Sequence, residues 1–235
     1  MGKHGITSYP YKYMLEYKNR QINVIMDPEK ELPYVLHNNK KLYFQREYGK
    51  EKIIKIYRSL IIEQDCRSAH RYVRSYDELK DKILLDIGSA EGIFALDTIE
   101  LTKHVYIFEC DKQWIAPLEA TFAPWREKVS IIEKYVSDKT DEQNLKLDDF
   151  LGNKKTDNLF LKMDIEGAEK SALAGATETL SNSKKMQLAI CTYHKKEDPE
   201  IISNLVASFG FNFEFTDGLM FWSKRLSKGL IRCYK

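Results

Sequence analysis

Five short apolar runs, rich in β-branched and aromatic residues, recur from residue 83 onward: ILLDI (83–87), HVYIFE (104–109), VSIIEK (129–134), NLFLKMD (158–164) and MQLAICTY (186–193). Strands of this kind, apolar on both faces, belong to sheets that are covered on both sides. Helix-like stretches separate them at about 91–101, 112–121, 167–181 and 198–209. Strand and helix in alternation predict an α/β fold, with a mainly parallel sheet and helices on both faces. Near the end, FNFEF and LIRCY read as an antiparallel pair closing one edge.

Before residue 80 the pattern is different. Short apolar clusters alternate with tyrosines and charges, and KEKIIKIYRSLIIEQ (50–64) spaces Ile53, Ile54, Ile56, Tyr57, Leu60 and Ile61 as a helix with one buried face does. With 235 residues, 43% hydrophobic, the chain suits one enzyme-sized domain with an appendage. The expected division is an amino-terminal cap with one helix over 1–80 and a main domain over 81–235. YPYKYMLEY (9–17) crowds four tyrosines together, fit to seat a cap strand or to meet a sugar face. No internal repeat interrupts either part.

Charge and cysteine usage narrow the partners. The 37 basic and 35 acidic side chains leave a net charge of +2, too little to gather nucleic acid or an anionic membrane. The lysine pairs at 40–41, 154–155, 184–185 and 195–196 stand among acids and read as solvated faces. Cys66, Cys110, Cys191 and Cys233 lie far apart without metal spacing, as reduced thiols of a cytoplasmic protein do. The start lacks an apolar signal core, and Ile6 stands where a myristoylation signal needs Ser or Thr. No apolar stretch reaches the roughly 20 residues that span a bilayer. A protein with no membrane insertion and no nucleic-acid partner is expected.

The first strand runs into LLDIGSAEGIFAL (84–96). Gly88 allows a sharp turn off the strand and Gly92 a close approach of the next helix, so backbone here is free to meet a ligand at the carboxyl end of the sheet. A dinucleotide fingerprint in this register needs glycine at 90 and 93, where Ala90 and Ile93 stand, and no Gly-Lys-Ser/Thr phosphate loop is present. The remaining common occupant of such a corner is S-adenosylmethionine, whose cationic end tolerates a carboxylate such as Asp86. Glu109, 21 residues after Gly88, ends the next strand where nucleoside sites place an acid for ribose hydroxyls.

In order and spacing, LLDIGSAEGIFAL, VYIFECDKQWI, YVSDK, LKLDDFL, LFLKMDIEGAEKSALAGA and LAICTYHKKED resemble the FkbM family of S-adenosylmethionine-dependent methyltransferases over roughly residues 60–235. Ala90 stands where many members have Asn, and Ala69, before His70, where some have Pro. The resemblance implies a class I, Rossmann-like methyltransferase domain and transfer of a methyl group to an oxygen, commonly a hydroxyl of a sugar or other natural product. The cofactor set it implies is Asp86, Gly88, Ser89, Ala90, Gly92, Glu109, Cys110, Ser137, Asp138 and Asp164. Ser137 and Asp138 fall where relatives place residues beside the adenine, and a polar turn explains them equally well. Trp114 and Phe108 suit either a nucleoside or the core.

An alcohol needs a base, worth about 10²- to 10⁴-fold. In LKMDIEGAE, Asp164 ends a strand, with Glu166 just beyond it and Glu169 in the first turn of the next helix, where capping alone also explains an acid. His194 follows the next strand, and an imidazole suits proton abstraction near neutrality. His70, beside Arg71 and Tyr72, is the third candidate. Asp164, Glu166 and His194 are hard ligands suited to magnesium but form no dedicated metal signature, so metal assistance stays open and no metal is predicted. Two other readings stay open. One is a non-catalytic cofactor-binding scaffold in a biosynthetic complex. The other is a nucleic-acid methyltransferase, which the missing Asn/Asp-Pro-Pro-Tyr/Phe corner disfavours.

Overall fold

The computed structural model describes residues 10–152 and 158–235. Ile6, Tyr9 and the Lys154–Lys155 pair, and the readings placed on them, lie outside the described residues.

The chain opens with a 3-10 turn (Lys12–Tyr17), then a three-stranded antiparallel sheet of β1 (Val24–Asp27), β2 (Leu32–His37) and β3 (Lys40–Tyr43), then helix α1 (Lys50–Glu63). The helix matches the expected 50–64. The small sheet was not expected. Its β2–β3 turn carries Asn38 at φ 50° and Asn39 at φ 64°, the left-handed pair that a tight hairpin demands and that asparagine tolerates best.

From Ile83 strand and helix alternate. In chain order come β4 (Ile83–Ile87), α2 (Ile93–Thr98), β5 (His104–Phe108), α3 (Lys112–Phe122), β6 (Val129–Ile132), β7 (Tyr135–Val136), β8 (Asn144–Leu145), α4 (Leu147–Leu151) and β9 (Leu159–Met163). Then follow α5 (Glu169–Ala174), α6 (Thr177–Asn182), β10 (Met186–Cys191), α7 (Asp198–Ser208), β11 (Asn212–Phe215), the hairpin β12 (Met220–Trp222) and β13 (Arg225–Ser227), and β14 (Leu230–Tyr234). The helix expected over 167–181 is two helices. Between them Gly175 lies so close to the Ser137 carbonyl that a β-carbon there would overlap it, and the tight approach turns the chain.

The main sheet has seven strands in the order β11-β14-β10-β9-β4-β5-β6. All neighbours pair in parallel except β14, which is antiparallel to both β10 and β11. The antiparallel pair therefore closes one edge as expected, with its last strand inserted one place inward. Strand order reverses between β4 and β9, and Asp86 faces Lys162 in their register. A ligand crevice is expected at the carboxyl ends there.

Alternate strand residues feed two apolar clusters. Leu84, Val105, Ile107 and Phe160 face one side, packed with Phe94 of α2 and with Val35, Leu42, Phe44, Ile53 and Tyr57 of the amino-terminal segment. Leu85, Ile87, Leu161, Met163, Leu188 and Ile190 face the other, under α4 to α7. The amino-terminal segment thus fills one face of the sheet instead of building a core of its own. Phe44, fully buried, contributes on the order of 1.5–3 kcal/mol by leaving water. A buried knot adds direction: His37 bridges Tyr57 (2.9 Å) and Asp97 of α2 (2.8 Å), and Tyr76 donates to Asp97 (2.8 Å).

Candidate active site

The turn after β4 puts Gly88, Ala90 and Gly92 all in the left-handed region, at φ 73°, 45° and 74°. A β-carbon on Gly88 would overlap the Asp164 carbonyl oxygen, and one on Gly92 would come within 2.9 Å of Leu118 and Phe122 of α3. Both glycines thus serve close packing. Ala90 is the residue that bears the strain, which asparagine would bear more easily.

Glu109 fastens this turn. Its carboxylate, 7% exposed, accepts the Ala90 N–H at one oxygen and the Asp111 N–H at the other, both at 2.8 Å. The Gly88 N–H donates to the Phe108 carbonyl (3.0 Å). The tips of β4 and β5 therefore face each other, and a cavity of about 500 Å³ opens between them and the tip of β9, within the range of small-molecule sites. Gly88, Ala90, Glu109 and Cys110 form one wall, Asp164, Ile165 and Glu166 the other, and Phe108, Trp114, Tyr135 and Val136 an apolar floor. Burial, and less so the Glu109 charge, pushes the Cys110 thiol up.

Several expected cofactor residues stand elsewhere. Asp86 is 1% exposed and does not line the cavity: it pairs with Lys162 Nζ (2.9 Å) and accepts from Ser89 Oγ (3.0 Å). Lys162 also donates to the Gly88 carbonyl. A buried cation needs such partners; burial lowers the Lys162 pKa, but Asp86 and Asp164 outweigh it and hold it raised. Asp86 and Ser89 thus brace the turn from beneath, and Gly92 packs on α3. Ser137 Oγ donates to the Lys139 carbonyl, and Asp138 accepts from Ser171; they stand beside the floor residue Val136 and do not line the cavity.

The opposite wall is polar and densely connected. Asp164, with 18% of its side chain exposed, accepts from Tyr72 Oη (2.9 Å) and Tyr193 Oη (3.4 Å). His70 Nε2 lies 3.5 Å away on one side and His194 Nε2 3.4 Å on the other. Burial pushes the Asp164 carboxyl up, yet His70, Lys162 and His194 overcome it and hold it well below the usual range. His194 has 3% of its side chain exposed, with Nδ1 2.9 Å from Glu169 Oε1 and Nε2 3.7 Å from Glu166 Oε2. Burial lowers its pKa, but the carboxylates, Glu169 foremost, outweigh it and raise the pKa. Arg225 of β13 donates to the Tyr193 and His194 carbonyls, both at 2.8 Å, fixing the end of β10.

Asp164 and Glu166 line the cavity, whereas His194 and His70 stand behind them. Glu166 has 77% of its side chain exposed and φ 56°, followed by Gly167 at φ 94°. Strained backbone of this sort concentrates at functional sites. Glu169, weighed in the sequence only as a cap, is buried against His194. Tyr72 and Tyr193 were not singled out; their only sequence signal is adjacency to His70 and His194. Glu91, also passed over, has its pKa pushed up to about 7 by burial.

This strand order, with one antiparallel strand near the edge and a cavity at the switch point, is the class I S-adenosylmethionine-dependent methyltransferase fold, and S-adenosylmethionine is the cofactor of that class. Residues 113–213 match the family model described as Methyltransferase FkbM domain, so this stretch of the chain is similar to that domain. The matched stretch includes Asp164, Glu166, Glu169 and His194 and begins after the glycine turn. No curated protein matches this chain. Among solved structures, a methyltransferase FkbM from Methylobacillus flagellatus KT is similar at TM-score 0.53 and 20% identity, over 78% of this chain and 54% of that one. The chain thus spans about half the length of that protein. The magnesium protoporphyrin IX methyltransferase ChlM of Synechocystis PCC 6803, solved with bound SAM, is similar at TM-score 0.51 and 14% identity, over 80% of this chain and 86% of that one.

Proposed function

We propose that this chain transfers a methyl group from S-adenosylmethionine to a hydroxyl oxygen, of a saccharide or a related hydroxyl-bearing natural product. The observation that carries the reading is one continuous cavity with the Glu109 turn on one wall and the Asp164–Glu166 pair on the other. The residues fit the cofactor. The apolar floor suits an adenine, and the Glu109 carboxylate, with each oxygen engaged by one N–H, keeps lone pairs for ribose hydroxyls. When bound, S-adenosylmethionine supplies a methyl carbon activated by positive sulfur.

The residues of the opposite wall then have three tasks. Asp164, held ionised, places a negative charge beside the cationic centre, and the exposed Glu166 carboxylate on the same wall accepts the acceptor proton. His194 and His70 hold the Asp164 carboxylate from behind, and Tyr72 and Tyr193 orient it by donating to it. The alignment of acceptor oxygen with methyl carbon is the larger task, because the leaving thioether needs little assistance. The hydroxyl-bearing acceptor rests on the resemblance to FkbM enzymes.

The test is calorimetric titration with S-adenosylmethionine, followed by turnover on a panel of hydroxyl-bearing glycans. Binding with turnover supports the reading, and binding without turnover on any acceptor favours a scaffold. His194→Ala is expected to slow turnover more than it weakens cofactor binding. Wild-type rates in that variant would remove His194 from the mechanism.

A further inference from the structure

We propose that His194 Nε2, Asp164 and Glu166 form a binding site for one small divalent cation at the rim of the cavity, of the Mn²⁺ or Mg²⁺ class, with Glu169 holding His194 from behind at Nδ1. Ligand atoms of His194, Asp164 and Glu169 all lie within 4.8 Å of one another. His194 Nε2 stands 3.4 Å from Asp164 Oδ1 and 3.7 Å from Glu166 Oε2. Two atoms bound to one metal at about 2.1 Å sit roughly 3.0–3.5 Å apart, so the spacing needs little adjustment.

The orientation of these groups points to a shared occupant. His194 Nε2 is sealed from solvent and within reach of a carboxylate, yet it makes no hydrogen bond among the described residues. The two groups are therefore aimed past each other. Glu169, 1% exposed, accepts the Ile165 N–H and approaches His194 with Oε1, while its buried Oε2 has no partner among the described residues. Glu169 thus fixes the ring with Nε2 turned toward Asp164 and Glu166, as the carboxylate behind a metal-bound histidine does.

Charge agrees with geometry. Three carboxylates surround one imidazole, so the group is negative whichever form the imidazole takes, and the nearby Lys162 is committed to Asp86. Two carboxylates with one imidazole suit Mn²⁺ better than Mg²⁺, which prefers oxygen alone. Glu166 provides the entrance: it lines the cavity and is exposed, whereas His194 and Glu169 are sealed behind it. A cation there would meet the acceptor hydroxyl and lower its pKa. That role rests on the methyl-transfer reading, but the site itself does not.

The experiment is titration of the full chain, stripped with chelator, with Mn²⁺ followed by electron paramagnetic resonance, then competition with Mg²⁺. One saturable Mn²⁺ per chain is expected. Glu166→Gln, at an exposed side chain where folding is not at stake, should weaken it by about 10- to 100-fold, and His194→Asn should also remove the nitrogen hyperfine signature of a bound imidazole. Absence of saturable binding in the wild type, or wild-type affinity in Glu166→Gln and His194→Asn together, overturns the site. Titration with S-adenosylmethionine in chelator separates the two ideas. Cofactor binding without Mn²⁺ binding sinks the cation site alone, while Mn²⁺ binding without cofactor binding leaves the site standing and sinks the methyl-transfer reading.

Discussion

Glu109→Ala tests two roles at once, because the same carboxylate fastens the turn and faces the cavity. Its two oxygens accept the Ala90 and Asp111 N–H groups at 2.8 Å, and a hydrogen bond to a charged group is worth about 1.5–3 kcal/mol. Water reaches the vacated site and recovers part of that sum, so a net loss of about 2–4 kcal/mol is expected. For a chain of this size that lowers the melting temperature by roughly 4–16 °C. Loss of the ribose contacts removes a similar quantity from cofactor binding, about 2–3 kcal/mol, or roughly 30- to 150-fold in dissociation constant. Glu109→Gln keeps one acceptor but turns an amide N–H toward a backbone N–H, so it should fall between wild type and alanine on both scales. The assays are thermal melting and calorimetric titration with S-adenosylhomocysteine. Wild-type affinity in Glu109→Ala would refute the ribose assignment, and an unchanged melting temperature would refute the fastening role.

Other substitutions probe the rest of the site. Lys162→Met strands the buried Asp86 charge and should cost about 3–5 kcal/mol in denaturant unfolding; a loss below about 1 kcal/mol would show that Asp86 does not depend on it. Gly88→Ala drives a β-carbon into the Asp164 carbonyl on top of roughly 1–2 kcal/mol for the left-handed backbone, so a variant as stable as wild type would contradict the described turn. Glu91 has a folded pKa raised to about 7 against an ordinary 4.5. The folded state then holds the extra proton between those values, and stability should fall as pH rises through that window and level off above it. Glu91→Gln should match wild type near pH 4.5 and exceed it by about 1–3 kcal/mol above pH 7, and parallel stability curves for the two proteins would refute the burial argument.

The main sheet was legible because buried parallel strands carry their own composition: ILLDI became β4 over the same five residues. The amino-terminal sheet was less so, since β1 to β3 are short and broken by charges, and the Asn38-Asn39 pair at one turn was not singled out. The β12–β13 hairpin turns through Ser223 at φ 46° and Lys224 at φ 63°, residues that give no hint of a left-handed conformation. At the site, strand ends located Gly88, Glu109, Asp164 and His194 in chain order. Which of them faces the cavity depends on neighbours distant in sequence. Asp86 turns to Lys162, 76 residues later, and Glu169 becomes a buried partner of His194 because the start of α5 meets the loop after β10, which no local pattern encodes.

The placement of β14 between β10 and β11 has a consequence for synthesis. Until Leu230–Tyr234 has been made and released, β10 lacks a neighbour at its outer edge and β11 has no partner to join. The sheet closes only when Leu230–Tyr234 threads into the gap, so this segment acts as a late clasp. A nascent chain stalled before it would be a candidate for chaperone capture.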